Sequence, residues 1–107
     1  MIKKIEKYSA EWCAPCRVLA KTMKTVLQEY PDIELVEYDA DNDEEKFEEK
    51  LIKNVPQLYF YDQDGTEVHH LTGAHPANKI KDIIDYHNKD KATYNPYNAK
   101  YVAESNC

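Results

Sequence analysis

The chain has 107 residues, two of them glycine, with 42% hydrophobic and 32% charged side chains and a formal net charge of −6. That length suits one domain with a modest core, and so few glycines favour regular elements over a loop-built scaffold. The acidic balance disfavours a phosphate backbone as ligand, so nucleic acid is not expected as a partner. No stretch approaches the ~18 apolar residues that would span a bilayer, and no apolar run follows Lys3 and Lys4 as it would in a signal peptide. A cytoplasmic monomer with no membrane partner is expected. Three cysteines are too few for a secreted disulfide framework, so a close pair is more naturally chemical than structural.

Residues 2 to 9 alternate in part and read as a first strand. From Ala14 to Tyr30 the period changes: Leu19, Met23, Val26, Leu27 and Tyr30 recur at steps of three and four and share one helical face. Pro31 stops that helix. Residues 33 to 38 form a second strand, and after a polar break Asn42 or Asp43 can cap a short helix over 44 to 53, resting on Phe47, Leu51 and Ile52. Leu58 to Tyr61 is a third strand, Asp64-Gly65 a hairpin turn, and Glu67 to Leu71 a fourth strand, ended by Gly73. A last helix runs from Pro76 to about Asn88, burying Ile80, Ile83 and Ile84. The strand–helix–strand start requires a parallel pair and the hairpin adds antiparallel strands, giving an α/β domain over residues 1–88. Residues 89–107 form a polar extension with Tyr94, Tyr97 and Tyr101, expected to dock in part, and Cys107 reads as an idle thiol.

The chemistry sits in Trp12-Cys13-Ala14-Pro15-Cys16. Cys13 falls where the first strand ends and Cys16 one turn into the helix. Positions i and i+3 stand about 5–6 Å apart at Cβ, against about 3.5–4.5 Å for a disulfide. A small adjustment closes that gap, so the bonded and open states are both within reach. The first helical turn carries unpaired N–H groups and the positive end of the helix dipole. Cys13, acting as an N-cap, can accept from those groups, which lowers its pKa and makes it the nucleophile. Cys16 lies deeper and is placed to resolve the mixed disulfide. Pro15 suits a first turn, where its missing donor is not needed. Zinc binding is disfavoured, since one Cys-x-x-Cys supplies two of four ligands. His69 and His70, adjacent on a strand, face opposite ways, and the four histidines are expected as solvated surface groups.

The segment SAEWCAPCRVLA resembles the active-site segment of thioredoxins. Val55-Pro56 stands where that family carries a cis-proline, and Thr72-Gly73-Ala74 resembles its Val-Gly-Ala loop. The likeness covers roughly residues 2 to 88. It implies a thioredoxin-like fold: a central mixed four-stranded sheet flanked by helices, here without the family's usual N-terminal strand and helix. It also implies a protein-disulfide reductase with Cys13 attacking and Cys16 resolving. There would be no cofactor beyond the redox-active Cys13–Cys16 disulfide and no metal. Partners would be protein disulfides and an electron donor resembling thioredoxin reductase. Trp12, Ala14, Pro15, Val55, Pro56, Gly73 and Ala74 would contact an extended peptide. Arg17 keeps the positive charge usual beside the site. Lys7 departs from the pattern, standing where many thioredoxins bury an aspartate. It is expected to reach solvent along its stem, the alternative being that it faces Cys16 and steadies thiolates by charge. Ala14 and Pro15, with no histidine between the cysteines, favour a reductant over an oxidant. Two other functions stay open: a binding or assembly module using the same groove, and a glutathione-dependent, glutaredoxin-like reductase.

Overall fold

The computed structural model describes residues 1–88. The expected boundary with an extension over 89–107, the docking of its tyrosines and the role of Cys107 therefore fall outside the described residues. Seven elements follow in order: β1 (Ile2–Ser9), α1 (Ala14–Glu29), β2 (Glu34–Asp39), α2 (Glu44–Glu49), β3 (Gln57–Asp62), β4 (Glu67–Thr72) and α3 (Ala77–Asn88). They build one four-stranded sheet in the order β2-β1-β3-β4. β1 runs parallel to β2 and antiparallel to β3, and β3 and β4 form the antiparallel hairpin. Gly65 adopts a φ of 80° in the turn between them, a region where glycine alone carries no Cβ cost.

The period-two strands and period-3.6 helices divide the core into two clusters. On one face, Leu19, Met23 and Val26 of α1 meet Ile80, Ile83 and Ile84 of α3 over Ile5, Leu58, Phe60 and Leu71. Full burial of each such aliphatic side chain contributes about 1.5–3 kcal/mol, so this face holds most of the fold's apolar stabilisation. The Tyr30 hydroxyl, just past α1, donates to Asp85 Oδ1 on α3 at 2.7 Å and ties the two helices together. The second cluster gathers Tyr8, Phe47, Ile52, Val55, Tyr59 and Tyr61 with Ala10, Cys13 and Cys16. It lines the end of the sheet where β1 passes into α1.

Three local expectations are corrected. The second helix stops at Glu49 rather than 53, because Leu51 takes a left-handed φ of 57°. That reversal turns Leu51 outward, 80% exposed, while Phe47 and Ile52 stay buried. Asp43 occupies the N-cap of α2 without a side-chain cap bond, since its carboxylate accepts from the Asp39 N–H at 2.8 Å instead. The histidines are not uniformly solvated. His70 is exposed but stacks on the Tyr59 ring at 4.2 Å between centroids, and His69 is half-buried with its ring edge-on to Phe60. The two do face opposite sides of the sheet, as strand geometry requires.

Burial, helped by the positive neighbours His87 and Lys79, pushes the His69 pKa down to about 4. The unfolded chain, with His69 near its ordinary value of about 6.5, binds a proton in that interval that the folded chain does not. Stability from this residue is therefore full above pH ~6.5 and is lost as pH falls toward 4. We expect urea unfolding to show a declining free energy across that window. His69→Gln should flatten the decline; an unchanged slope in the variant would assign the acid sensitivity elsewhere.

Candidate active site

β1 ends at Ser9 and α1 begins at Ala14, so Cys13 becomes the N-cap with an extended backbone (φ −99°, ψ 113°). Its N–H donates to the Ala10 carbonyl at 3.3 Å, and its carbonyl accepts the first helical bond, from Arg17 N–H at 3.3 Å. Pro15 falls in the first turn, where no partner is lost. Cys16 follows one turn in, buried on the inner side of α1, and carries a free thiol; the two sulfurs are therefore not joined to each other in this structure.

Two details differ from the sequence-based picture. Cys13 makes no side-chain cap bond to the first-turn N–H groups; its Sγ lies instead 3.8 Å from the Val55 carbonyl oxygen. It is also fully buried. The Val55-Pro56 peptide is cis and brings the Val55 carbonyl against the helix start. Cys16, in turn, is raised by burial, an effect opposed by a backbone hydrogen bond with Ala10 and by the charges of Lys7 and Arg17.

The other expected site residues arrive from separate elements. Gly73, at φ 97°, donates its N–H to the Pro56 carbonyl at 2.9 Å, which sets the Gly73-Ala74 loop beside the Val55-Pro56 edge. Val55, Pro56, Gly73 and Ala74 are all buried, whereas Ala14 is exposed and Pro15 half-buried. Trp12 projects into solvent at 61% exposure, so it contributes little to the core. It lines a cavity of about 240 Å³ with Phe47, Ile52 and Val55. Arg17 is exposed, its guanidinium donating to the Glu11 carbonyl at 2.7 Å.

Lys7 does not reach open solvent, contrary to expectation. It is only 4% exposed, and its Nζ lies 3.4 Å from Glu37 Oε2. The reason is register: Lys7 on β1 stands directly opposite Glu37 on β2, so the ammonium meets a carboxylate before it can snorkel outward. A second cavity, about 320 Å³, is lined by Cys16, Lys7, Glu37, Tyr38 and Asp39. The β2 members of that set were not foreseen. The signal for them was the parallel pairing of the first two strands, which places residue 37 beside residue 7 once the register is known. Among the described residues, no group of three or more His, Cys, Asp or Glu side chains is arranged to hold a metal.

Comparison with known proteins gives a consistent result. The family model described as thioredoxin matches residues 3–86. The chain is 30% identical to a thioredoxin of Mycoplasmoides gallisepticum over 82 residues, covering 77% of this chain and 81% of that protein. It is 36% identical to thioredoxin-3 of Dictyostelium discoideum over 70 residues, or 65% and 66% of the two chains. Among solved structures, Fasciola hepatica thioredoxin superposes with a TM-score of 0.69 at 30% identity, covering 78% of this chain and 79% of the other.

Proposed function

This chain belongs to the thioredoxin family, and from that premise we propose that Cys13 is its attacking sulfur and Cys16 its resolving one. The chain is a thiol–disulfide oxidoreductase that reduces protein disulfides, storing its electrons in its own cysteines with no bound cofactor. Protein disulfides are its substrates, and a reductase resupplies it. The observation that carries the assignment of roles is the placement of the two sulfurs. Cys13 caps α1, facing the Val55 carbonyl, while Cys16 sits a turn behind it along the helix.

Exchange then proceeds in two displacements. The Cys13 thiolate attacks a substrate sulfur, forming a mixed disulfide and expelling the first substrate thiolate. The Cys16 thiolate attacks Cys13, and the second substrate thiolate leaves with the electron pair. Both expelled thiolates take protons from water, and the protein ends as the Cys13–Cys16 disulfide. The exposed Trp12 and the Val55, Pro56, Gly73 and Ala74 edge, with Ala14 and Pro15 at the helix start, are the surfaces assigned to receive the peptide. Backbone pairing of Val55 with an extended substrate would hold the target sulfur in line. The direction is reductive and the setting a cytoplasm, with the chain working as a monomer on soluble partners. No helix among the described residues is long and apolar enough to cross a membrane.

The direct test is reduction of insulin by dithiothreitol. The chain should accelerate precipitation of the freed insulin B chain severalfold or more at low micromolar concentration. No acceleration over dithiothreitol alone would reject the reductase reading and leave the groove with a binding role.

A further inference from the structure

Lysine is among the residues least often buried unless paired, yet Lys7 is 4% exposed in an interior strand. Its partner does not share that burial. The Glu37 side chain is 58% exposed, against 5% for that of Lys7. Water therefore screens the carboxylate, while the ammonium acts in the less polarisable interior, where a unit charge reaches further. What it faces there is a cavity of about 320 Å³ that also contains Cys16.

The other charged or titratable groups around that cavity are placed differently. Arg17, on α1, is exposed and occupied with the Glu11 carbonyl, and Glu11 itself is exposed. From β2, Asp39 spends a carboxylate oxygen on the N–H groups of Asp41 and Asn42, and the Tyr38 ring packs tilted against that of Tyr8. Asp43, ahead of α2, accepts from the Asp39 N–H. Lys7 is thus the one buried cation among the groups lining the cavity.

We propose that Lys7 is a positioning residue for the second displacement, holding a positive charge against the Cys16 sulfur as it becomes anionic, with Glu37 setting how much of that charge the sulfur feels. This rests on the reading of Cys16 as the resolving sulfur. The Cys16 proton leaves through the cavity to water. The resulting thiolate forms the bond to Cys13 while the bond from Cys13 to the substrate sulfur breaks, and that sulfur departs with the electron pair. Lys7 exchanges no proton in the cycle. Burial alone opposes ionisation of Cys16, and Lys7 and Arg17 are the charges that counter it.

The experiment is stopped-flow mixing of dithiothreitol-reduced, desalted protein with a symmetric aryl disulfide whose released thiolate is coloured, across a pH series. The first release reports attack by Cys13 and the second reports resolution by Cys16. Lys7→Met should leave the first release unchanged and slow the second about tenfold at pH 7, its inflection moving up by about one pH unit. Lys7→Arg should restore most of the rate. Glu37→Gln should move the inflection downward, since it frees the ammonium from its counter-charge. Opposite shifts from the two partners are a signature that a purely structural role does not produce. An unmoved inflection in Lys7→Met, or shifts of the same sign in both variants, overturns the proposal. If Lys7→Met does not fold, Glu37→Gln still decides, because it alters the exposed end of the pair: no downward shift there overturns the proposal equally. Absence of the first release in the parent protein would reject instead the role given to Cys13, and this inference would fall with it.

Discussion

Replacing Cys16 with serine is expected to arrest disulfide exchange halfway, leaving substrate covalently attached through Cys13. Cys13 retains its place at the mouth of α1 beside the Val55 carbonyl, so the first displacement should still proceed. A serine hydroxyl has neither the acidity nor the nucleophilicity to complete the second. Turnover of insulin should fall by about 10³-fold or more, as when one member of a catalytic unit is removed, while a stable adduct accumulates on non-reducing gels. Cys13→Ser should lose turnover to the same degree and form no adduct through Cys16, which sits a turn further into α1 and has its thiol pKa raised by burial. The contrast between the variants, rather than the loss itself, assigns the roles. An adduct in Cys13→Ser and none in Cys16→Ser would reverse them. Because the chain has a third cysteine, Cys107, the pair of variants is best repeated in a Cys107→Ser background, where the same pattern is expected.

Much of this was legible in the sequence because the signals were local. The 3.6-residue period of Leu19, Met23 and Val26 and the short strand run Leu58 to Tyr61 ahead of the Asp64-Gly65 turn depend on a few neighbours, and both the long first helix and the hairpin follow from them. The thiol pair was equally local, since spacing and a helix start suffice to describe it. What escaped were consequences of register and of tertiary approach. Lys7 could not be assigned to Glu37 until β1 and β2 were paired residue by residue. Propensity alone let a lysine stem escape to water. The approach of the Val55 carbonyl to the Cys13 sulfur is a contact across 42 positions that no local pattern encodes. Leu51 was misplaced for a similar reason: helical spacing put it on the apolar face, but the chain reverses there to deliver Ile52 to the core.

Glu6 shows how an apparent misfit in a strand becomes a structural requirement, and its removal should carry the largest stability loss among the polar groups described. On β1, an interior strand, its Oε1 accepts from the Tyr8 hydroxyl at 3.0 Å and from the Tyr61 hydroxyl at 2.9 Å. Its Oε2 lies 3.4 Å from Lys4 Nζ, which is partly exposed. The tyrosines show the effect: burial first, and then the bond to this carboxylate, raises the Tyr8 pKa. Glu6→Ala relieves the cost of keeping a carboxylate out of water but leaves two buried hydroxyls short of an acceptor, at about 1–3 kcal/mol each. Water can solvate the released Lys4, so the hydroxyls decide the sign. A net loss of about 3 kcal/mol is expected, against a total stability of about 5–15 kcal/mol for a typical domain. For a domain of this size that lowers the thermal midpoint by roughly 12–24 °C. Glu6→Gln keeps an acceptor oxygen and should lose less. In the triple variant Glu6→Ala, Tyr8→Phe, Tyr61→Phe, part of the loss should return, because donors and acceptor disappear together. A midpoint for Glu6→Ala within about 2 °C of the parent, or a triple variant no better than the single, would show that the hydroxyls find other partners and that the carboxylate is not what holds this face of the sheet.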